Sequence, residues 1–456
     1  MKSTKFQIIS TDDNIIKPLD DKNCFCSVCK IPLQKCSVKR HVKEVHLNQK
    51  EICPICNKCI KRLAPHMDLH YKKMQYSNKD SNFPSVIEVN SINSDREKPI
   101  NNFISLYDDS IYDILIKKYK KDFSIYDKCI LIFKNFKLGC GSHGKSFFGL
   151  DKKTKKPIAV KAYEIDNSKY QIREIQILEK IEKYEIFPKV LKEMNDEYGY
   201  YLAQELIGID LYRLLKFENN CFDPSTILNI SIDILTCLKY LNEQNIVHCD
   251  LKGDNYVWNC FNDKNIKSQV ILIDFSCSVI SKNQIKVKRI GYNSFSSLVQ
   301  TLEELPDSKD EIESLIYSLM ELSHIELPWF NQNFIDSDEK KITFLKEKNN
   351  FSIEKYLPED LKILGLIFND VKRKSKNDKI DFNFYIDLLT NQKNKIKEEY
   401  NIDYRFSWEK KIKNILIESK LKGDISIIED KVCKVIFDGF PNEFIIDFLN
   451  KYFKLG

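Results

Sequence analysis

The densest chemistry in this chain of 456 residues lies in eight consecutive positions, His248-Cys249-Asp250-Leu251-Lys252-Gly253-Asp254-Asn255. A carboxylate at Asp250 can orient a hydroxyl group and accept its proton. Lys252 lies two residues on and can reach a transferring phosphoryl group. Asn255 offers a neutral oxygen to magnesium, a hard cation that takes oxygen ligands. His248 reads as a residue that orients this loop rather than as a base. Downstream, Ile271-Leu272-Ile273-Asp274-Phe275-Ser276 is an apolar strand ending in Asp-Phe, and Asp274 is the expected main magnesium ligand. A plain strand-end turn aspartate is the bland alternative, and it loses weight beside the octad before it.

Upstream, Gly139-Cys140-Gly141-Ser142-His143-Gly144 is a GxGxxG turn. Alone it is weak, because a dinucleotide-binding turn has the same glycines. That reading needs a helix at once and an acid about 20 residues on. Here a strand-like Ile158-Ala159-Val160-Lys161 follows, and Lys161 stands 22 residues after Gly139. The glycines let backbone N–H groups approach phosphates, and Lys161 can neutralise them. Glu174, 13 residues beyond the lysine, is the acid expected to hold it, with Glu179 as competitor.

These groups need elements to position them. Residues 130–139 and 156–165 read as strands flanking the glycine turn, 169–181 has helical spacing, and 198–208 is a further strand. Asp223-Pro224 reads as a helix cap followed by proline at the first helical position. Behind it Ile227, Ile230, Ile234, Leu238 and Leu241 form one apolar face. Short strands are expected around residues 255–275 and helices after them. A β-rich part followed by an α-rich part predicts an α+β fold of two lobes. The last 60 residues read as helical, with Phe444/Phe448 and Ile445/Leu449 paired at i,i+4.

The order of these motifs resembles the eukaryotic protein kinase fold, over residues 129–395. Within it, the casein-kinase-one group, including the vaccinia-related kinases, is similar in several stretches. Leu202-Ala203-Gln204-Glu205-Leu206-Ile207-Gly208 is like that group's hinge, and Asp310-Glu311-Ile312-Glu313-Ser314-Leu315-Ile316-Tyr317 with Leu327-Pro328-Trp329 is like its later helix. The resemblance implies ATP and Mg2+, with Gly139, Gly141, Gly144, Lys161, Glu205, Ile207, Asn255 and Asp274 around the nucleotide. Gln204 would be the gatekeeper, and the backbones of Glu205 and Ile207 would touch adenine. It implies transfer to protein hydroxyls, with Lys252 favouring Ser/Thr over Tyr acceptors. Four departures stand out. Cys249 replaces an arginine, Ser276 a glycine and Ser146 a valine, and Asp310 or Glu311 must brace the catalytic loop. None removes a group that does the chemistry. The competing reading is a zinc-finger adaptor or nucleic-acid-binding protein with a pseudokinase domain.

The amino-terminal part carries a second chemistry. Seven of the 15 cysteines lie within residues 24–59, and four of the seven histidines lie in or just beyond that window. Disulfides would not recruit histidine, so the coincidence points to metal. Cys26 and Cys29 with His41 and His46, then Cys53 and Cys56 with His66 and His70, each offer the four N/S ligands of a tetrahedral Zn2+ site. The expected units are 24–46 and 53–70, followed by a linker over 71–128. They resemble Cys2His2 zinc fingers with shortened helix-side gaps; Cys24, Cys36 and Cys59 are spare. Residues 22–73 hold twelve Lys/Arg and three acids. Phosphate-backbone contact, docking to a protein such as ubiquitin, and a purely structural role all stay open.

Composition bounds the rest. The mass is 53.8 kDa, with 43% apolar residues, 30% charged residues and a formal charge of +6. That is ample for a core. No apolar run approaches the roughly 20 residues of a membrane helix, and the first residues do not read as a signal peptide. An intracellular protein with a protein substrate and no membrane contact is expected.

Overall fold

The computed structural model describes residues 109–126, 128–141, 143–196, 199–261, 269–281, 293–330, 338–376 and 378–453. Before them it describes five short strands, β1 (Ile16–Pro18), β2 (Asn23–Cys26), β3 (Pro32–Gln34), β4 (Glu51–Ile52) and β5 (Cys59–Ile60). The chain divides into two units, Met1–Glu97 and Lys98–Gly456.

In the first unit β1, β2 and β3 form an antiparallel sheet with Cys24 opposite Leu33, and β4 pairs with β5 with Ile52 opposite Cys59. Of the expected zinc ligands, Cys26 ends β2 as backbone. Cys29, His41, His46, Cys53, Cys56, His66 and His70 lie outside the described residues. Among the described residues no group of three or more His, Cys, Asp or Glu side chains could hold a metal ion.

The second unit opens with helix α1 (Asp109–Lys118) and strand β6 (Phe123–Tyr126). Then come β7 (Ile130–Cys140), β8 (Lys145–Asp151), β9 (Pro157–Glu164), α2 (Ser168–Ile181), β10 (Val190–Asp196) and β11 (Gly199–Glu205). The six strands make one antiparallel sheet in the order β10-β11-β9-β8-β7-β6. Alternation explains its faces. Ile130, Ile132, Ile158, Val160 and Ala203 gather on one side. Leu131, Phe133, Phe148 and Tyr163 join the main core with Ile177, Leu178 and Ile181 of α2 on the other. The register sets Lys161 opposite Ser146, at the base of the glycine turn.

The stretch 71–128, read above as a linker, therefore ends early. β6 pairs along β7 from Phe123↔Phe133 to Tyr126↔Ile130 and closes one edge of the sheet. Four residues carry too short an alternation to show in sequence, and it is the pairing partner that makes them a strand.

The second lobe contains β12 (Ile209–Asp210), α3 (Leu211–Phe217), α4 (Pro224–Glu243), β13 (Ile246–Val247), β14 (Tyr256–Trp258), β15 (Val270–Leu272) and β16 (Val279–Ile280). Helices α5 (Ser308–Leu322), α6 (Asp338–Asn349), α7 (Lys362–Arg373), α8 (Phe382–Glu399), α9 (Ser407–Lys422) and α10 (Asn442–Tyr452) follow. Asp223 caps α4 by accepting the Thr226 amide, with proline next in line. The five apolar residues of α4's expected face are all buried. Two small pairings then do the positioning: β13 with β16, and β14 with β15. Together they flank both the 248–255 loop and the 273–278 turn, so residues distant in sequence meet at one place.

Candidate active site

Lys161 projects from β9 between two carboxylates. Its Nζ lies 2.8 Å from Glu174 Oε2 on α2 and 2.5 Å from Asp274 Oδ1. Burial works against the lysine's charge, but Asp274 and then Glu174 outweigh it and raise its pKa. Burial likewise works against the Asp274 carboxylate, and Lys161 followed by Ser276 holds its pKa well below the usual range. Both groups are therefore charged at neutral pH. Tyr163 and Gln204 also donate to Glu174, Gln204 Nε2 at 3.4 Å. Glu174, rather than Glu179, faces the lysine, and Gln204 is buried on β11 beside the pair.

The glycine turn closes through the Gly141 amide, which donates to Gly144 O at 2.9 Å. A Cβ on Gly144 would meet Ala162 O at 2.4 Å, so only glycine fits there, whereas Gly139 and Gly141 have no such neighbour within 4 Å. At its tip the His143 ring lies on Tyr170 of α2, centroids 3.9 Å apart. His143 Nδ1 stands 3.5 Å from Ser276 Oγ and 3.9 Å from Cys277 Sγ. Ser276 Oγ donates its hydrogen to Asp274 Oδ1 at 2.6 Å, so His143 must donate in its contact with that hydroxyl. The serine that replaces a glycine thus links the glycine turn to Asp274.

Asp250 lies at the centre of a second cluster. Lys252 Nζ donates to its Oδ2 at 2.8 Å, and Asn255 Nδ2 to its backbone O at 2.8 Å and its Oδ2 at 3.0 Å. Asn293 Nδ2 donates to Oδ1 at 2.8 Å. Sequence reasoning missed Asn293. Its own Oδ1 accepts the Phe295 and Ser296 amides at 2.8 and 3.0 Å, an Asx turn that fixes the side chain. The Asn-Ser dipeptide is a turn signal, but nothing local connects it to a loop 43 residues away.

The loop itself is held from behind. His248 is fully buried, its Nε2 lies 3.0 Å from Ile273 O, and its Nδ1 accepts the Asp250 amide at 3.3 Å. Those two contacts require a neutral ring with the hydrogen on Nε2, and burial lowers its pKa accordingly. Phe275 packs edge-on against His248 and Phe187 at 5.2 and 5.6 Å. Cys249 adopts φ 67° and Asp274 φ 63°, the left-handed region that few non-glycine residues occupy. Both are pinned: Cys249 through Glu311 and through Gln300, which donates to its carbonyl at 2.7 Å, and Asp274 through Lys161 and Ser276. Of the two acids considered as braces, Glu311 accepts the His248 and Cys249 amides, while Asp310 completes the capping box of α5.

The donor set suits magnesium. Asn255 turns its amide nitrogen to Asp250, which leaves its carbonyl oxygen for a cation, and Asp274 adds a carboxylate. An amide oxygen and a carboxylate are hard ligands, and phosphate oxygens and water complete such a shell. On the segment joining the lobes, the Glu205 amide donates to Lys189 O at 3.1 Å and the Phe261 amide to Ile207 O at 2.9 Å. Glu205 and Ile207, whose backbones the resemblance sets against adenine, both belong to this segment.

Two lobes with a glycine turn, a lysine between two acids and an Asp-Lys-Asn loop facing an Asp-Phe turn define a phosphoryl-transfer cleft. Residues 133–355 match the family model described as protein kinase domain. This part of the chain is a protein kinase domain. The match starts within β7 and stops before α7, so α1, β6 and α7 to α10 lie beyond it.

Proposed function

We propose that this chain is an ATP- and magnesium-dependent protein kinase of Ser/Thr specificity, similar to the casein-kinase-one and vaccinia-related group. One observation carries the reading: Lys161 is paired with both Glu174 and Asp274 while Asp250, Lys252 and Asn255 stand together across the cleft. This grouping of opposite charges around one loop and one strand end is what supports a phosphoryl-transfer reading.

A carboxylate has about four acceptor positions, and Asn293, Lys252 and Asn255 occupy three of those on Asp250. The fourth can accept a substrate hydroxyl, orient it and take its proton as the bond to phosphorus forms. Lys252 supplies positive charge where the transferring group gathers negative charge. Lys161 orients the remaining phosphates, held in place by Glu174. Magnesium, held by Asn255 and Asp274, would neutralise the phosphate oxygens. His248, buried and neutral, holds the loop and exchanges no proton with substrate. Positioning and charge account for most of the rate, since the reaction asks little covalent work of the protein.

Zinc in the amino-terminal unit is a separate part of the reading. The Cys/His spacing supports it, and zinc would contribute on the order of 10 kcal/mol to local folding. Metal analysis of the purified chain with and without Cys53→Ser and Cys56→Ser tests it. Radiolabel transfer from ATP to casein-like and basic proteins tests the kinase reading. Transfer is expected from the wild type and lost in Asp250→Asn and Lys161→Met; transfer unchanged by both substitutions would sink it.

A further inference from the structure

The last sixty residues lie outside the matched domain, yet they pack against both of its lobes. Phe148 of β8 packs on Phe440 and Phe444 at 6.1 and 5.2 Å. Phe261, of the second lobe, packs on Phe437, Phe440, Phe444 and Phe448 at 6.2, 5.6, 5.2 and 4.8 Å. One aromatic cluster therefore touches both lobes, and the Phe261 amide already grips Ile207 between them. Lys118 and Tyr119 hold Glu443 of α10 from the sheet side.

Arg213 gathers these parts. It lies in α3, directly after the segment joining the lobes, and its Nε pairs with Asp210 at 3.0 Å. Its Nη2 donates to Leu138 O at 2.5 Å and its Nη1 to Asp438 O at 2.5 Å. Leu138 immediately precedes Gly139, the first glycine of the turn. Next to Asp438, Gly439 has φ +86°, and a Cβ there would stand 2.1 Å from Lys137 O. The turn before α10 thus lies directly on the backbone that leads into the glycine turn. The planar guanidinium spreads its N–H groups in a fixed fork that meets Asp210 and both carbonyls together, a spread that a lysine's compact ammonium does not reproduce.

We propose that Arg213 is a positioning residue for the nucleotide, clamping the strand end at Leu138 to the Asp438–Phe440 turn so that the carboxy-terminal segment limits how far the glycine turn lifts from Lys161. This rests on the kinase reading above for its purpose but not for its test.

The test uses the full chain with Arg213→Met, Arg213→Lys and Gly439→Ala. Hydrogen exchange of amides 137–145 in nucleotide-free protein should speed up in Arg213→Met and Gly439→Ala, while exchange in α4 stays as in the wild type. ATP affinity and KM for ATP should weaken about tenfold in Arg213→Met, more than kcat falls, with Arg213→Lys between the two. If the arginine only stabilises the fold, the melting temperature will drop while exchange at 137–145 and ATP affinity stay put, and the proposal is overturned. A wild type that binds ATP without transferring phosphate would defeat the kinase reading alone, since exchange and affinity would still report on the clamp. Arg213→Lys keeps the measurement possible should Gly439→Ala fail to fold.

Discussion

Glu311 and Cys249 are joined by a hydrogen bond of 2.9 Å from the Cys249 amide to Glu311 Oε1, and the other oxygen takes the His248 amide at 2.7 Å. One carboxylate at the start of α5 thereby holds the backbone just ahead of Asp250. Burial raises the Glu311 pKa from the usual 4.5 to about 7, against the two amides, which lower it.

Glu311→Gln should destabilise the fold by about 1–3 kcal/mol, because one amide N–H then faces an NH2 group instead of an oxygen. The pH dependence has a definite sign. A folded pKa above the unfolded one means that the contribution of Glu311 is fully present below about 4.5 and is lost as pH rises through about 7. Urea unfolding at pH 4.5, 6 and 8 should show that decline in the wild type and a flatter profile in the variant.

Asn293→Ala should lower kcat by about tenfold or more with little change in KM for ATP, since Asn293 touches Asp250 and no part of the nucleotide cradle. Steady-state kinetics with varied ATP at saturating protein substrate would separate the two. A rise in KM for ATP with kcat intact would contradict the assignment.

Ser276→Gly removes both the hydroxyl donor to Asp274 and the contact to His143. Magnesium titration of activity should then shift to higher concentration by about threefold to tenfold, as expected when a ligand's supporting hydrogen bond is lost. His143→Phe should give a smaller shift in the same direction, and the double variant no more than Ser276→Gly alone.

Lys348 is buried under the 293–297 segment, with its Nζ near the rings of Phe344, Tyr317 and Trp329 at 4.5, 5.1 and 5.2 Å and bonded to Ser296 O. Burial lowers its pKa from the usual 10.5 to about 7, with Glu313 opposing and Lys372 assisting. The unfolded chain then binds more protons between about 7 and 10.5, so this residue makes stability rise with pH over that window. Lys348→Met should flatten the rise and leave the protein at least as stable at pH 6. Unfolding curves at pH 6, 8 and 10 would decide it, and an unchanged slope would refute the buried-charge account.

The cleft was largely legible in sequence because its chemistry demands particular side chains at short, fixed spacings. Asp250, Lys252 and Asn255 fall within one loop, and Lys161 announces itself by what precedes it. What escaped depends on contacts between distant segments. Asp310 and Glu311 are neighbours on one helix, and only the packing of α5 shows which faces the loop. Asn293 belongs to the site through a turn that no spacing rule connects to Asp250. The Phe444/Phe448 spacing predicted a helix in the final residues, but the partners that cover it, Phe148 and Phe261, were invisible. β6 failed for a similar reason, its strand character coming from β7.

Two sulfur atoms lie close to the reacting groups, and their surroundings decide their fate. Cys249 is buried behind Asp250, and Cys277 lies three positions beyond Asp274 and five beyond the end of β15. Burial, with Asp250 and Asp274 adding to it, pushes the Cys277 thiol up to about 12, and Cys249 also lies well above its usual value. The nucleophile in sulfur chemistry is the thiolate. Peroxide and alkylating electrophiles will therefore find little thiolate at Cys249 and Cys277 at neutral pH, so attack on sulfur should fall instead on the exposed Cys140 of the glycine turn.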